Sequence, residues 1–284
     1  GTRFAAAGAI FLAVLIAVSG RARIRLSRRE AAGAALLGVL LPFGGNGLVT
    51  VAEQDVPSGL AALIIGSVPL WVVLLRAANG DRPPRATLVG VIVGFTGLAL
   101  LVLPGDRPGG APLWGVLVCM AAALSWATGS FYSRRLPHPS DALVSTAWQM
   151  LFGGLAMVVV GLAVGEAGDV HPGSFSFDSL LALVYLIFIG SVLAYSAYTW
   201  LLKNVPISTV ATYAYVNPII AIFLGWAILS EQVTITVVAG ALAIVVSVAA
   251  VVRREGESSS SPEWRTTADP TGSPSTSSTR RSPA

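Results

Sequence analysis

The chain has 284 residues, 54% of them hydrophobic and only 11% charged, with a mean hydropathy of +0.75 and a formal net charge of +4. A water-soluble domain carries about 25% charged residues, so this sequence lacks the polar groups to wet its own surface, and lipid is the solvent it fits. One cysteine, Cys119, excludes a disulfide framework and a multi-cysteine metal site.

A bilayer core needs about 20 apolar residues per helix. Such runs fall at roughly 4–19, 31–51, 58–76, 87–103, 113–133, 143–164, 180–201, 208–229 and 234–252, none with a charge away from its ends. Membrane strands would give shorter alternating segments, so the expected fold class is an all-α integral membrane protein with nine transmembrane helices. From Arg253 the chain turns to serine, threonine and proline, and 253–284 reads as a disordered cytoplasmic tail that cannot offset its own ordering entropy.

Loop charges set the expected orientation. Taken alternately, one side holds thirteen basic residues, from Arg21, Arg23, Arg25, Arg28 and Arg29 through Arg76, Arg82, Arg85, Arg134, Arg135 and Lys203 to Arg253 and Arg254. The other side holds two, Arg3 and Arg107, among acids such as Glu53, Asp55, Glu166 and Glu231. The thirteen-residue side is expected to be cytoplasmic, with the C-terminus. The basic residues then read as orientation anchors among membrane lipids rather than a nucleic-acid surface.

Two stretches repeat one pattern. "VPSGLAALIIGSVP" places Pro57 and Pro69 12 residues apart, and "VPISTVATYAYVNP" does the same with Pro206 and Pro218, 149 positions later. Each first proline opens a helix, where its missing N–H is no loss. One opens from the outer face and the other from the cytoplasmic face, the arrangement of an inverted-topology repeat. Inversion needs an odd number of helices per repeat. The second half has five and the first four, so a further helix ahead of Gly1 is expected. The expected division is a first repeat over 1–103, an outer connecting loop at 104–112, a second repeat over 113–252, and the tail.

"RFAAAGAIF", "VAEQDVPSGLAALIIGSVPLW", "GVLVCMAAALSWATGSFYSRRL" and "NVPISTVATYAYVNPIIAIFLGWAILSEQVT" together resemble the EamA-type branch of the drug/metabolite transporter superfamily, over about residues 3–252. The resemblance implies a bacterial inner-membrane carrier of two five-helix repeats that exports metabolites, amino acids or drug-like compounds. The alternative is a membrane scaffold or receptor-like protein of the same fold without transport.

No catalytic constellation, metal set or cofactor motif emerges, and an enzyme is not expected. His138 in "LPHPS" and His171 in "DVHPG" fall on opposite membrane faces and read as solvated loop residues. "GGNG" from Gly44 lacks the Lys-Ser/Thr of a P-loop. Gly90 with Gly94, and Gly161 with Gly165, have the small-xxx-small spacing of close helix contacts. Packing within one bundle is the favoured reading, with a homodimer left open. At mid-depth the inventory is polar but uncharged. Asn46, Ser67, Trp126, Gln149, Tyr195, Tyr213 and Asn217 are the candidate substrate-binding residues, suited to an amphipathic or zwitterionic small organic solute. Pro69 and Pro218 are the candidate helix kinks. Each would clash with the carbonyl four residues back, on Ile65 and Ala214, around a shared cavity where Asn217 and Gln149 bind the solute.

Overall fold

The computed structural model describes residues 1–81, 83–102, 110–171, 173, 175–210, 213–229 and 235–259, and among these there is no strand. Nine helical stretches carry the described chain: α1 Thr2–Ser19, α2 Arg28–Ala52, α3 Ser58–Ala78, α4 Arg85–Val102, α5 Leu113–Tyr132, α6 Ala142–Ala163, α7 Phe177–Asn204, α8 Tyr213–Leu229 and α9 Ile235–Ser259. Six of them (α1, α2, α3, α5, α6 and α7) are long and apolar enough to cross a membrane, and shorter apolar stretches lie within α4, α8 and α9. At 1.5 Å per residue, an 18-residue helix reaches about 27 Å.

Local chemistry sets the ends. Ser27 and Glu30 form a capping box at the head of α2, with Ser27 N–H donating to Glu30 Oε2 (2.9 Å) and Glu30 N–H to Ser27 Oγ (3.2 Å). Pro57 caps α3 and Pro112 caps α5, while Asp141 accepts from Leu143 N and Val144 N at the start of α6. At the other end of the chain, α9 continues through Arg253 and Arg254 to Ser259. Arginine and glutamate are good helix formers, and no proline intervenes before Pro262. The rest of the tail, 260–284, lies outside the described residues.

Corresponding helices of the two halves pack against one another: α1 on α6, α3 on α8 and α4 on α9. Small residues allow the closest of these contacts. A Cβ added at Gly154 would stand 2.7 Å from Ala5 Cα, and one at Gly8 2.8 Å from Leu151 Cα, so α1 and α6 touch backbone to backbone. Gly94 faces Leu70 and Ser247, and Ser247 Oγ donates to Gly90 O, joining α4 to α9. The Gly161/Gly165 pair works differently from the expectation. The atoms nearest a Cβ at Gly161 are those of the Glu166 carboxylate, and Gly165, with φ +96°, turns the chain out of α6.

Symmetry also shows within single helices. Val39–Gly47 in α2 and Leu186–Leu193 in α7 are both π-helical. α6 packs on the first of these segments and α1 on the second. One apolar core joins α3, α4, α5 and α9 around Leu63, Leu70, Leu98, Val116 and Ile244. A second joins α1, α2, α6 and α7 around Phe4, Leu37, Met150 and Tyr195. α5 runs between them, contributing Cys119 to one and Trp126 to the edge of the other.

A central cavity and the layer beneath it

Between α2, α3, α5 and α8 lies a cavity of about 430 Å³. Asn46, Trp126, Tyr213 and Asn217 line it, with Glu53 at one end and small or apolar side chains such as Ala62, Ala122 and Leu224 between. The cavity thus reaches from mid-depth at Trp126 to the face opposite the arginine-rich loops. Gly44 and Gly45 let α5 approach α2 here, because a Cβ on either would strike Ser125 or the Trp126 ring. Ser125 Oγ also donates to Leu40 O (2.8 Å), a carbonyl of the π-helical segment.

Below the cavity the polar groups bond to one another. Tyr195 O–H donates to Gln149 Oε1 (2.9 Å), and Gln149 Nε2 donates to Ser145 Oγ (2.9 Å). Tyr195 and Gln149 are 4% and 3% exposed. The Tyr195 ring meets Trp126 edge-on, with centroids 6.3 Å apart. Trp126 Nε1 donates to Tyr198 OH (2.8 Å), which also shares a hydrogen bond with Ser130 Oγ (2.6 Å). These residues of α5, α6 and α7 make a continuous layer across the bundle. Beyond it, toward the arginine-rich face, is a second cavity of about 250 Å³ whose lining includes Gln149, Thr199, His138, Arg134 and Lys203.

Four of the seven expected binding residues therefore share one cavity: Asn46, Trp126, Tyr213 and Asn217. Gln149 does not. It lies below Trp126, held by Tyr195, and lines a different cavity from the one Asn217 lines. Ser67 is fully buried, and its hydroxyl donates to Ile64 O (2.6 Å). Pro69 occupies the first turn of a new helical segment, Val68–Ala78, after α3 breaks at Gly66–Ser67. There its missing N–H leaves nothing unpaired, and the clash with Ile65 expected of a mid-helix proline does not arise. Pro218 falls within α8, but its side chain is outside the described residues.

Sequence reasoning missed three features. Tyr198 is bonded inside the layer. Glu53, counted in the sequence only among the acids of the less basic side, lines the central cavity. His138 is half-buried rather than solvated, with Nε2 2.7 Å from Ser133 O and Nδ1 3.2 Å from Ser145 Oγ. Burial, and then the Lys203 charge, pushes the imidazole below its ordinary value, although contacts with the Pro139 and Ser133 carbonyls and the charge of Glu30 act the other way. Burial would raise Asp141, but bonds from Arg23 and from two backbone N–H groups outweigh it, and its carboxyl sits below the usual range.

A bundle of paired membrane helices around a solute-sized cavity has the architecture of a membrane transport protein. The chain belongs to the EamA-like transporter family, which it matches over residues 1–103 and 113–253. It is 36% identical over 226 residues to the inner membrane transporter YedA of Escherichia coli (strain K12), covering 79% of this chain and 71% of that one. Transporter YoaV of Bacillus subtilis (strain 168) is 23% identical, over 84% of this chain and 80% of YoaV. A probable amino-acid metabolite efflux pump of Salmonella typhimurium (strain LT2) is 25% identical, over 69% and 68%. A solved crystal structure matches with a TM-score of 0.60 at 22% identity, covering 88% of this chain and 85% of that one. At that identity it speaks for the fold alone.

Proposed function

We propose that the protein is a secondary carrier of the bacterial inner membrane that exports a small amphipathic or zwitterionic organic solute, such as an amino acid or related metabolite, by alternating access. The observation that carries this reading is the 430 Å³ cavity, lined by two amides and two aromatic rings, at the meeting of α2 and α3 with α5 and α8 of the other half. Neutral hydrogen-bonding groups beside rings suit a solute with both polar and apolar parts. The name of the Salmonella relative, an amino-acid metabolite efflux pump, points to the same class.

In this reading Asn46, Trp126, Tyr213 and Asn217 contact the solute, Gln149 and Tyr195 close the path beneath it, and the break before Pro69, with Pro218 inside α8, shapes the cavity wall. The two repeats are 1–103 and 113–252, joined by an outer loop. The basic face, with the C-terminus, is cytoplasmic, as the thirteen-to-two excess of basic loop residues favours. The cavity then opens outward, as the releasing state of an exporter should. The rival, a scaffold without transport, gives no role to a cavity of this size.

The test is movement of labelled amino acids and metabolites in proteoliposomes holding the full-length chain. Asn217→Ala should reduce transport at least several-fold while the protein stays folded in detergent. Absence of any solute movement above empty liposomes, across a broad panel, would favour the scaffold. Normal transport by a well-folded Asn217→Ala would overturn the cavity assignment.

A further inference from the structure

The second cavity carries charge that the transport reading has not yet used. Arg134, after the end of α5, donates from Nε to Leu202 O (2.7 Å) and from Nη2 to Val205 O (2.5 Å). Lys203, in the last turn of α7, donates to Pro139 O (2.6 Å) and Ser140 O (3.1 Å). A guanidinium has five N–H donors and an ammonium three, so each cation keeps donors beyond these bonds. The bonds themselves go to neutral carbonyls, which orient the cations without cancelling their charge.

No acid is among the residues lining this cavity. The charge of Glu30 acts on its histidine and that of Asp141 on its lysine. Glu30 is tied into the Ser27 capping box, and Asp141 is paired with Arg23 at 2.7 Å. Two positive charges therefore border a 250 Å³ space whose other polar groups, Gln149, Thr199, Ser133, Ser140 and His138, are neutral donors and acceptors.

We propose that this cavity is an oxyanion site that receives the carboxylate of the solute on the cytoplasmic side, before the solute passes the Gln149–Tyr195 layer. The assignment rests on the transport reading for its direction, but the site itself does not require transport. It narrows the substrate class to solutes bearing a carboxylate, because an amine would meet Arg134 and Lys203 with like charge. The central cavity, lined by amides and rings, would then hold the remainder of the molecule in the next state. A phospholipid headgroup offers the same oxyanion chemistry, so the test separates the two sources.

His138 is one of only two histidines, so His171→Gln leaves it as the single imidazole reporter in the full chain. NMR titration of labelled histidine is then followed with sodium acetate, with inorganic phosphate, with methylammonium, and with short-chain phosphatidylglycerol. Acetate or phosphate should bind saturably and raise the His138 midpoint by about one pH unit, the response expected when an opposite charge enters within about 6 Å. Methylammonium should not. Lys203→Gln should weaken acetate binding about tenfold, whereas Lys203→Arg, which keeps the charge, should retain it even if the loop contacts change. No saturable response to acetate or phosphate overturns the proposal, as does a response confined to phosphatidylglycerol, which would make the cavity a lipid site. Acetate binding by a chain that moves no solute would sustain the oxyanion site and count against the transport reading instead.

Discussion

The hydrogen bond from Tyr195 to Gln149 is the most exacting point at which to perturb the layer between the two cavities. Tyr195→Phe keeps the ring against Trp126 and against Phe4, which it meets edge-on at 6.3 Å, and removes only the hydroxyl. Gln149 Oε1 then loses its donor inside a residue that is 3% exposed. Interhelical hydrogen bonds in membrane proteins average about 0.6 kcal/mol and reach about 1.7, and a stranded buried acceptor costs about 1–3 kcal/mol. An expected loss of about 1–2 kcal/mol follows. Gln149→Leu should cost a similar amount by stranding the tyrosine hydroxyl. The double variant strands neither group, so its loss should fall short of the sum by about 1 kcal/mol. A denaturant-unfolding cycle in detergent measures this coupling. The same change should be visible in gating, since about 1 kcal/mol shifts a two-state equilibrium about fivefold. In an Asn46→Cys background, Tyr195→Phe should speed modification by a membrane-impermeant thiol reagent applied from the arginine-rich face by about that factor. Additive losses to within about 0.5 kcal/mol, together with unchanged labelling, would refute the idea that this bond holds the layer shut.

Three further outcomes are expected. Gly154→Ala pushes a methyl into the α1 backbone and should cost about 1–3 kcal/mol, read as a lowered melting temperature, whereas Gly168→Ala, which meets nothing within 4 Å, should stay within about 0.5 kcal/mol of the parent. His138 is held below 6.5, so on acidification the unfolded chain takes up its proton first. Stability should therefore fall as pH drops below about 6.5, and His138→Gln should flatten that acid limb without altering stability at higher pH. Reporter fusions after Arg29, Arg85 and Arg135 should read as cytoplasmic and one near Gly168 as external; a reversal at any of these would invert the orientation.

Hydrophobic run length proved the most legible signal, because a lipid-facing helix must be apolar throughout its crossing. The same uniformity hid the inward faces. Along 143–164 almost every residue is apolar, so nothing in the spacing told whether Gln149 pointed to the central cavity or to the space below it. The surroundings of Ser67 were not legible either, because a serine can satisfy itself on a carbonyl of its own helix, as it does on Ile64. Pro69 stood out in the sequence by its repeat spacing, but whether it bends a helix or starts one depends on Gly66 and Ser67 closing the preceding turn. Arg134 and Lys203 were legible only as topology signals, since their convergence requires the ends of α5 and α7 to meet. The π-helical segments left no sequence mark beyond the unusual "LLPFGGNG" in α2.

Those segments carry a mechanical consequence. In a π turn each bond spans five residues instead of four, so Val39–Gly47 and Leu186–Leu193 each hold surplus chain relative to an ordinary helix. Releasing one residue of that surplus would rotate everything beyond it by about 100° about the helix axis. In α2 the part beyond includes Val49 and Glu53 on the cavity wall, and in α7 it includes Tyr195 and Tyr198 of the layer. Each half of the molecule thus contains a screw thread set beside the element it would turn, and the two threads are related by the same symmetry that pairs α1 with α6. A quarter-turn in one could bare the cavity wall while a quarter-turn in the other parts the layer, with no change in the length of either helix large enough to disturb its ends in the bilayer.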